Sequence, residues 1–202
     1  MIKSLRHLNG NIFCAVDVET TGFIPGYHDM WQIAVLPLDN FIKPSKDIIP
    51  FYIDLKIKRP ENIDPKAVKL NRTDFYKRQL RAIDPWTAAD MFDEWIQKLN
   101  LPMYKGICPL ASNWPFDRSF IVDWLGHESF QQFFAPWYRD TMVSATFQND
   151  IADHRGNRIE YPKVGLATLS SRLKVKNAKA HDALQDCITT AEVYRRLIMA
   201  SA

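Results

Sequence analysis

Strand-like segments occupy the first part of the chain. Asn11–Asp17, Trp31–Asp39 and Phe51–Ile57 are rich in β-branched or aromatic residues, and Thr-Thr-Gly at 20–22 or proline-bearing segments separate them. Runs of this composition, interrupted by turn-forming residues, are typical of β-strands. The pattern therefore predicts three strands before the first long helix.

The remainder of the chain alternates helical and strand-like patterns. Apolar residues recur three or four positions apart in Trp86–Leu99, which predicts a helix with one buried face. Ile107–Ser112 has the composition of a short buried strand. Pro115–Leu125 is predicted to be a helix that its proline starts, and Asp182–Met199 is predicted to be a final amphipathic helix. Strands first, followed by helices around a further strand, predict an α/β fold in which helices flank both faces of a mixed sheet.

Length and composition restrict the class of protein. A chain of 202 residues, with 47% apolar and 24% charged residues, has the size and balance of one globular domain, which we expect to span residues 1–202. Met1–Gly10 is polar and basic with no signal-peptide stretch behind it, and the longest apolar run, Ile12–Val16, is far shorter than a membrane helix. Cys14, Cys108 and Cys187 are odd in number and lack CxxC spacing, which favours a reducing compartment. We therefore expect a cytoplasmic protein without a membrane partner.

Positive charge is concentrated in one stretch. The whole chain carries a net charge of only +3, but Lys56–Arg81 contains nine basic and three acidic residues, a net of +6 that leaves −3 for the rest. A smaller cluster precedes His181 and consists of Arg172, Lys174, Lys176 and Lys179. Such clusters can bind a phosphate backbone, and they are also common on solvated faces. Charge alone does not decide between the two interpretations.

Asp17 and Glu19 follow the apolar run Ile12–Val16. Residues two apart on a strand point to the same side, so these two carboxylates face one direction. Two anions at the edge of a core repel each other, and a divalent cation such as Mg²⁺ would turn that conflict into a binding site. The alternative is a solvent-facing strand end that leads into the Thr-Thr-Gly turn.

Asp117 lies in Ser112-Asn113-Trp114-Pro115-Phe116-Asp117. With Trp114 as the N-cap and Pro115 as the first helical residue, Asp117 occupies the third helical position. The helix dipole stabilises an acid there by roughly 0.3–1 kcal/mol, so a purely structural role is a sufficient explanation of this residue.

The last predicted helix starts within the segment His181-Asp182-Ala183-Leu184-Gln185-Asp186. Asp182 with Gln185 three residues later resembles a capping box, which makes Asp182 the expected N-cap. Asp186 then lies one turn into the helix, and His181 stands just outside it. A histidine in that place can transfer protons near neutral pH, or it can simply be a polar surface residue.

The order of these segments resembles the DEDDh exonuclease family. The motifs that carry the resemblance are Asp-Val-Glu-Thr-Thr-Gly-Phe at 17–23, Asn-Trp-Pro-Phe-Asp at 113–117 and His-Asp-Ala-Leu-Gln-Asp at 181–186, with Ile-Asp-Pro-Lys-Ala-Val at 63–68 between them. The family includes proofreading exonuclease subunits of bacterial replicases, RNase T and oligoribonuclease. The resemblance extends from Phe13 to the final helix and implies an RNase H-like fold.

The same resemblance assigns roles to the acidic residues. In such enzymes four carboxylates hold two divalent ions, Mg²⁺ or Mn²⁺, and here the matching residues are Asp17, Glu19, Asp117 and Asp186. Asp17 would bridge the ions, Glu19 and Asp186 would bind the ion that carries the attacking water, and Asp117 would bind the second ion. His181 would take the proton of that water.

Substrate contacts are expected on both sides of these acids. The turn Thr20-Thr21-Gly22 could offer backbone N–H groups to the terminal nucleotide, with glycine allowing close approach. Phe23 could stack on the last base or belong to the core. Asn113 and Trp114 are further expected contacts, although Asn113-Trp114-Pro115 replaces the histidine-asparagine-alanine run of many members.

The sequence is thus similar to that of a metal-dependent 3′–5′ exonuclease that releases nucleoside 5′-monophosphates from single-stranded or frayed DNA or RNA ends. The alternatives are an oligoribonuclease restricted to very short RNA and a non-catalytic nucleic-acid-binding domain of the same fold. The presence of all four carboxylates and the histidine favours an active enzyme. A free-standing nuclease is expected rather than a polymerase subunit, and the sequence leaves DNA or RNA preference and homo-oligomer formation open.

Overall fold

A computed structural model describes residues 6–69, 72–176 and 181–200. The described residues form a sheet whose strands are β1 Ile12–Thr20, β2 Met30–Pro37, β3 Phe51–Asp54, β4 Ile107–Ala111 and β5 Arg139–Asp140. The helices around it are α1 Pro65–Lys69, α2 Arg72–Gln79, α3 Pro85–Lys98, α4 Trp114–Leu125, α5 His127–Phe133, α6 Thr141–His154, α7 Leu166–Arg172 and α8 Ala183–Ala200. No helix among these is both long enough and apolar enough to cross a bilayer.

The sheet is mixed, as predicted. Its strand order is β3-β2-β1-β4-β5, with β1 antiparallel to β2 and parallel to β4. β2 pairs antiparallel with β3, and β4 pairs parallel with β5. β1 is the central strand, with α4 packed on one face of the sheet and α8 on the other.

Alternation along β1 separates two cores. Ile12, Cys14, Val16 and Val18 point to the face covered by α3, α4 and α5. Phe13 and Ala15 point to the opposite face, where α8 packs through Ala183, Cys187 and Ala191. Since side chains alternate between the faces of a strand, Asp17 and Glu19 continue the face that α8 covers.

Several predicted boundaries were wrong by a few residues. β1 continues to Thr20 rather than ending at Asp17, because its last residues still pair with β2. β2, β3 and β4 end earlier than predicted, at Pro37, Asp54 and Ala111. β3 stops early because Lys56 donates its backbone N–H to Ile83 O instead of to a sheet partner.

The start of α4 also differs from the prediction. Asn113, not Trp114, is the N-cap, and its φ of 77° places it in the left-handed region. The buried carboxylate of Asp140 accepts from the backbone N–H groups of Asn113 and Trp114, at 3.2 and 2.7 Å, so the chain turns into the helix one residue early. The helices α1, α2, α5, α6 and α7 and the strand β5 were missing from the prediction altogether.

Candidate active site

Three segments bring the predicted acidic residues to the carboxyl end of β1. Asp17 and Glu19 lie on that strand, Asp117 lies in the first turns of α4, and Asp186 lies in the first turn of α8. Asp117 is 4% exposed, and its Oδ1 accepts from the Val18 backbone N–H at 3.1 Å. This bond attaches α4 to β1 between the two strand carboxylates.

The cluster also includes His181. One ligand atom each from Glu19, His181 and Asp186 lie within 4.8 Å of one another. His181 precedes α8 in a left-handed conformation, with φ of 65°, and its backbone N–H donates to Asp186 Oδ2 at 2.9 Å. Its side chain is exposed, so the imidazole is accessible from solvent while its backbone is fixed by an acidic neighbour.

Burial and like charge raise the pKa values of these carboxyl groups. Burial is the first cause for Asp17, whose pKa lies well above its usual range, and the charges of Asp117, Glu19 and Asp186 raise it further. Burial and the nearby Asp186 raise the pKa of Glu19 to about 8. Burial likewise raises the pKa of Asp117, although the Val18 N–H opposes the shift. Without a counter-charge, the fold therefore holds these carboxylates close together although their negative charges repel one another.

The donor set fits a divalent cation. Hard cations such as Mg²⁺ and Mn²⁺ prefer carboxylate oxygens, and a positive ion would offset the repulsion that raises these pKa values. The described residues that lie close enough to share one ion are Glu19, His181 and Asp186, with Asp17 and Asp117 in electrostatic contact with this group.

A polar network supports the His181 segment from the side of β2 and β3. Asp182 Oδ2 accepts from Tyr52 Oη and from Arg78 Nη2, each at 2.8 Å. Arg78 also donates to both oxygens of Asp54, at 3.0 and 3.2 Å. Asp182 is thus more than the helix cap predicted from the sequence, although its Oδ1 does accept from the Gln185 N–H at 3.3 Å.

Gln32 completes this network from the centre of β2. Its amide nitrogen donates to Asp54 Oδ1 at 2.6 Å, and its Oε1 accepts from the Ala183 N–H at 2.8 Å. The sequence reasoning did not identify Gln32, Tyr52, Asp54 or Arg78. A polar glutamine within the apolar run Met30–Pro37 was the available signal, because a buried amide needs hydrogen-bond partners.

The turn after Glu19 differs from the expected nucleotide contact. Thr21 is fully buried, and its N–H donates to Asp29 O at 2.8 Å, so that group is already used within the protein. Gly22 is required by packing, since a Cβ there would lie 2.1 Å from the His28 ring. Thr20 donates through Oγ1 to Gly22 O at 2.6 Å and stiffens the turn.

Phe23 lies on the surface rather than in the core. Its side chain is 71% exposed, and its ring centroid is 6.4 Å from that of Phe116, which is next to Asp117. An exposed aromatic ring four residues after Glu19 is available for contact with a planar group.

Trp114, which was expected to contact the substrate near Asp117, is buried in the structure. Its side chain is only 3% exposed and packs against Phe130 and Phe134, so we leave it out of the proposed site. The backbone N–H of Asn113 is bound to Asp140, and its exposed side chain remains a candidate contact.

Comparisons with solved structures identify the fold. Cell-death related nuclease 4 (CRN-4) superposes with a TM-score of 0.72 at 17% identity, covering 95% of this chain and 65% of that protein. Exonuclease I superposes with a TM-score of 0.71 at 17% identity, covering 94% of this chain and 41% of that protein. The fold is therefore the α/β, RNase H-like fold of exonucleases, as predicted.

The family follows from the sequence match. Residues 14–194 match the exonuclease family RNase_T, and the chain belongs to that family. Among characterised relatives, the 3′-5′ DNA exonuclease Cap18 of Escherichia coli is 30% identical over 110 residues, a match that covers 54% of this chain and 54% of Cap18. The aligned part is thus about half the length of that relative.

Proposed function

We propose that this chain is a 3′–5′ exonuclease that hydrolyses phosphodiester bonds of single-stranded nucleic acid with the help of two divalent ions, Mg²⁺ or Mn²⁺. The observation that carries the proposal is the convergence of four carboxylates and one histidine at the end of β1. The 3′–5′ polarity is supported by the similarity to Cap18, which is named for that activity.

The four carboxylates Asp17, Glu19, Asp117 and Asp186 would hold the ions. When bound, two such ions stabilise both the attacking and the leaving oxygen of a phosphodiester. Backbone hydrogen bonds fix two of these carboxylates before any ion binds: Val18 N–H orients Asp117, and His181 N–H orients Asp186. Preorganised ligands of this kind lower the cost of binding the ions and the substrate in a reactive arrangement.

His181 would act as the general base. Its imidazole is exposed and lies next to Glu19 and Asp186, so it can take a proton from the attacking water and pass it to solvent. General base catalysis of this kind contributes roughly 10²–10⁴ in rate. The fixed backbone of His181 and the hydrogen bonds to Asp182 keep the imidazole near the acids.

The substrate is proposed to be a single strand with an accessible 3′ end. Support comes from the likeness to Escherichia coli Exonuclease I, whose structure in complex with a dT13 oligonucleotide superposes with a TM-score of 0.65 at 18% identity and covers 92% of this chain and 40% of that protein. The exposed ring of Phe23 provides a surface on which a terminal base of any sequence can stack.

The deciding experiment is digestion of matched 5′-labelled DNA, RNA and dinucleotide substrates with Mg²⁺, with Mn²⁺ and with excess chelator. We expect a ladder that shortens from the 3′ end and disappears with chelator. Cleavage of RNA dinucleotides alone would identify an oligoribonuclease instead. Binding without cleavage of any substrate would identify a non-catalytic domain.

A further inference from the structure

Away from the acidic cluster, a pocket lies on the face of the sheet opposite α8. It has a volume of about 120 Å³, and its apolar floor includes Met30 and Leu55, from the core that β1 shares with α3 and α4. Its rim contains Lys56, Lys58 and the indole of Trp86. The pocket therefore combines an apolar interior with cationic and aromatic groups at its mouth.

Trp86 is displayed rather than packed. It is 72% exposed although it lies near the start of α3, whose other side buries Ala88 and Phe92. The backbone around it is fixed, because Asp84 accepts from the Trp86 N–H at 2.9 Å and Trp124 donates to Pro85 O at 2.8 Å. With its backbone fixed, the tryptophan side chain has only two rotatable bonds to order when a planar ligand binds, so the entropy cost is low.

The acidic residues of the pocket do not neutralise its lysines. Asp29 accepts from the backbone N–H groups of Lys58 and Arg59 and from the Arg59 side chain. Arg59 in turn lies 3.7 Å from Asp123. Among the residues that the structure describes, no carboxylate lies within 4.0 Å of the ammonium group of Lys56 or Lys58, and Lys58 Nζ sits 4.9 Å from the Trp86 ring centroid.

The pocket is structurally connected to the acidic cluster. Asp29 in the pocket wall pairs with Thr21, two residues after Glu19, through N–H to Oγ1 at 2.9 Å and through its carbonyl to the Thr21 N–H. On α4, Asp123 of the pocket follows Asp117 by six residues, about 9 Å along a helix axis. One bound strand could therefore contact both places.

We propose that this pocket is a subsite for one nucleotide of the bound single strand, upstream of the two nucleotides that flank the bond that is cut. The base stacks on Trp86, and the adjoining phosphate binds Lys56 and Lys58. An aromatic ring beside unpaired cations is the combination with which proteins bind single strands without sequence preference. The inference rests on the proposed function in that the strand is the exonuclease substrate.

The test compares Trp86→Ala with wild type on a long single-stranded oligonucleotide and on a dinucleotide. We expect KM for the long substrate to rise about 5- to 150-fold, the equivalent of ~1–3 kcal/mol for one stacked base. The kcat and the KM for the dinucleotide should be unchanged, because both of its nucleotides flank the bond at the acidic cluster and leave the pocket empty. Trp86→Phe should restore much of the affinity, and Trp137→Ala, at a half-exposed tryptophan elsewhere, is the matched control.

Binding measured separately distinguishes failure of the pocket from failure of the proposed function. Fluorescence anisotropy of a labelled oligonucleotide on the Asp17→Asn background requires no turnover, and there Trp86→Ala should raise Kd by the same factor. The Lys56→Ala/Lys58→Ala pair should reduce the log–log salt slope by about 1.4, or about 0.7 per phosphate contact. Unchanged Kd and KM for the long strand, or an equal KM increase for the dinucleotide, would overturn the assignment. Absence of all nuclease activity with the expected Kd changes would overturn the exonuclease proposal alone.

Discussion

Arg78 Nη2 donates to Asp182 Oδ2 across 2.8 Å and joins the basic helix α2 to the residue that follows His181. The same guanidinium binds Asp54 on β3, so Arg78 holds β3 and the residue before α8 in one arrangement. The charge of Arg78 is thus paired with carboxylates of the protein itself. Within the basic stretch Lys56–Arg81, this residue has a structural role.

Replacing Arg78 should impair turnover through the position of His181. Loss of the guanidinium leaves the Asp182 and Asp54 carboxylates with fewer donors, and a displacement of about 1 Å at a reacting group can cost as much as 10²-fold. We expect Arg78→Ala to lower kcat about 10- to 100-fold with a smaller change in KM. Arg78→Lys should recover only part of the loss, because an ammonium cannot form the two-sided contact. Lys77→Ala, at the exposed neighbour, is the control, and an equal kcat decrease there would contradict a positioning role.

His181 and Asp182 should both affect catalysis, but in different ways. His181→Ala should lower kcat by roughly 10²–10⁴ and leave the metal requirement and substrate affinity nearly intact. Loss of a helix cap alone would cost ~1 kcal/mol of stability. Because Asp182 also binds Tyr52 and Arg78, we expect Asp182→Ala to cause a larger loss of stability together with a reduced kcat. Single-turnover rates and thermal melts on both variants measure the two effects, and wild-type kcat in His181→Ala would exclude the histidine from the reaction.

Asp17→Asn should separate metal binding from folding. No hydrogen bond of the Asp17 side chain is formed within the described residues, so the amide removes charge from the cluster without breaking a contact. We expect a higher Tm than wild type in chelator, because repulsion is relieved, and loss of activity with Mg²⁺ or Mn²⁺.

The metal dependence of Tm provides the second readout. Wild type should be stabilised by about 2.7 kcal/mol at a cation concentration 100-fold above Kd, and Asp17→Asn should lose most of that increase. Asp47→Asn, at an exposed position between β2 and β3, is the control. A Tm of the Asp17 variant below that of wild type in chelator would show that the carboxylate stabilises the metal-free fold.

The salt dependence of nucleic-acid binding should divide the basic residues of Lys56–Arg81 into two groups. Lys66, Lys69 and Lys77 are exposed, whereas Arg59 and Arg78 are held in ion pairs with buried or half-buried carboxylates. If the exposed lysines bind phosphates, their replacement by alanine should flatten the log–log salt slope by about 0.7 per contact. Alanine at Lys43 and Lys46, which are exposed on another segment, should leave the slope unchanged. If alanine at the exposed lysines of Lys56–Arg81 leaves the same salt slope as alanine at Lys43 and Lys46, the stretch is an ordinary solvated surface.

Glu192 should make folding sensitive to acid. Its hydrogen bond with Arg195, supported by Arg196, lowers its pKa to about 2 from an ordinary value near 4.5. A carboxyl group whose folded pKa is lowered contributes stability above its unfolded pKa and loses it as pH falls toward the folded value. The difference in unfolding free energy between wild type and Glu192→Gln should therefore shrink between about pH 5 and pH 2, as measured by denaturant titration. Glu128→Gln, at an exposed carboxylate on α5, is the comparison, and a constant difference for Glu192→Gln would contradict the assignment.

Local pattern was enough to predict the parts of this protein that depend on one element. The strand period places Asp17 and Glu19 on one face, and the helical period with its cap places Asp186 one turn into α8. The chain order of the three motifs was enough to indicate the family, because a motif is a property of neighbouring residues.

Contacts between distant segments were decided by the tertiary structure alone. Asp140 sets the first residue of α4 from 26 and 27 positions away, and Gln32 holds the start of α8 from 151 positions away. Whether Phe23 was exposed and Trp114 buried also depended on which elements packed beside them. Such pairings are fixed by the packing of the whole chain, in which burying one polar group requires a partner that no local spacing reveals.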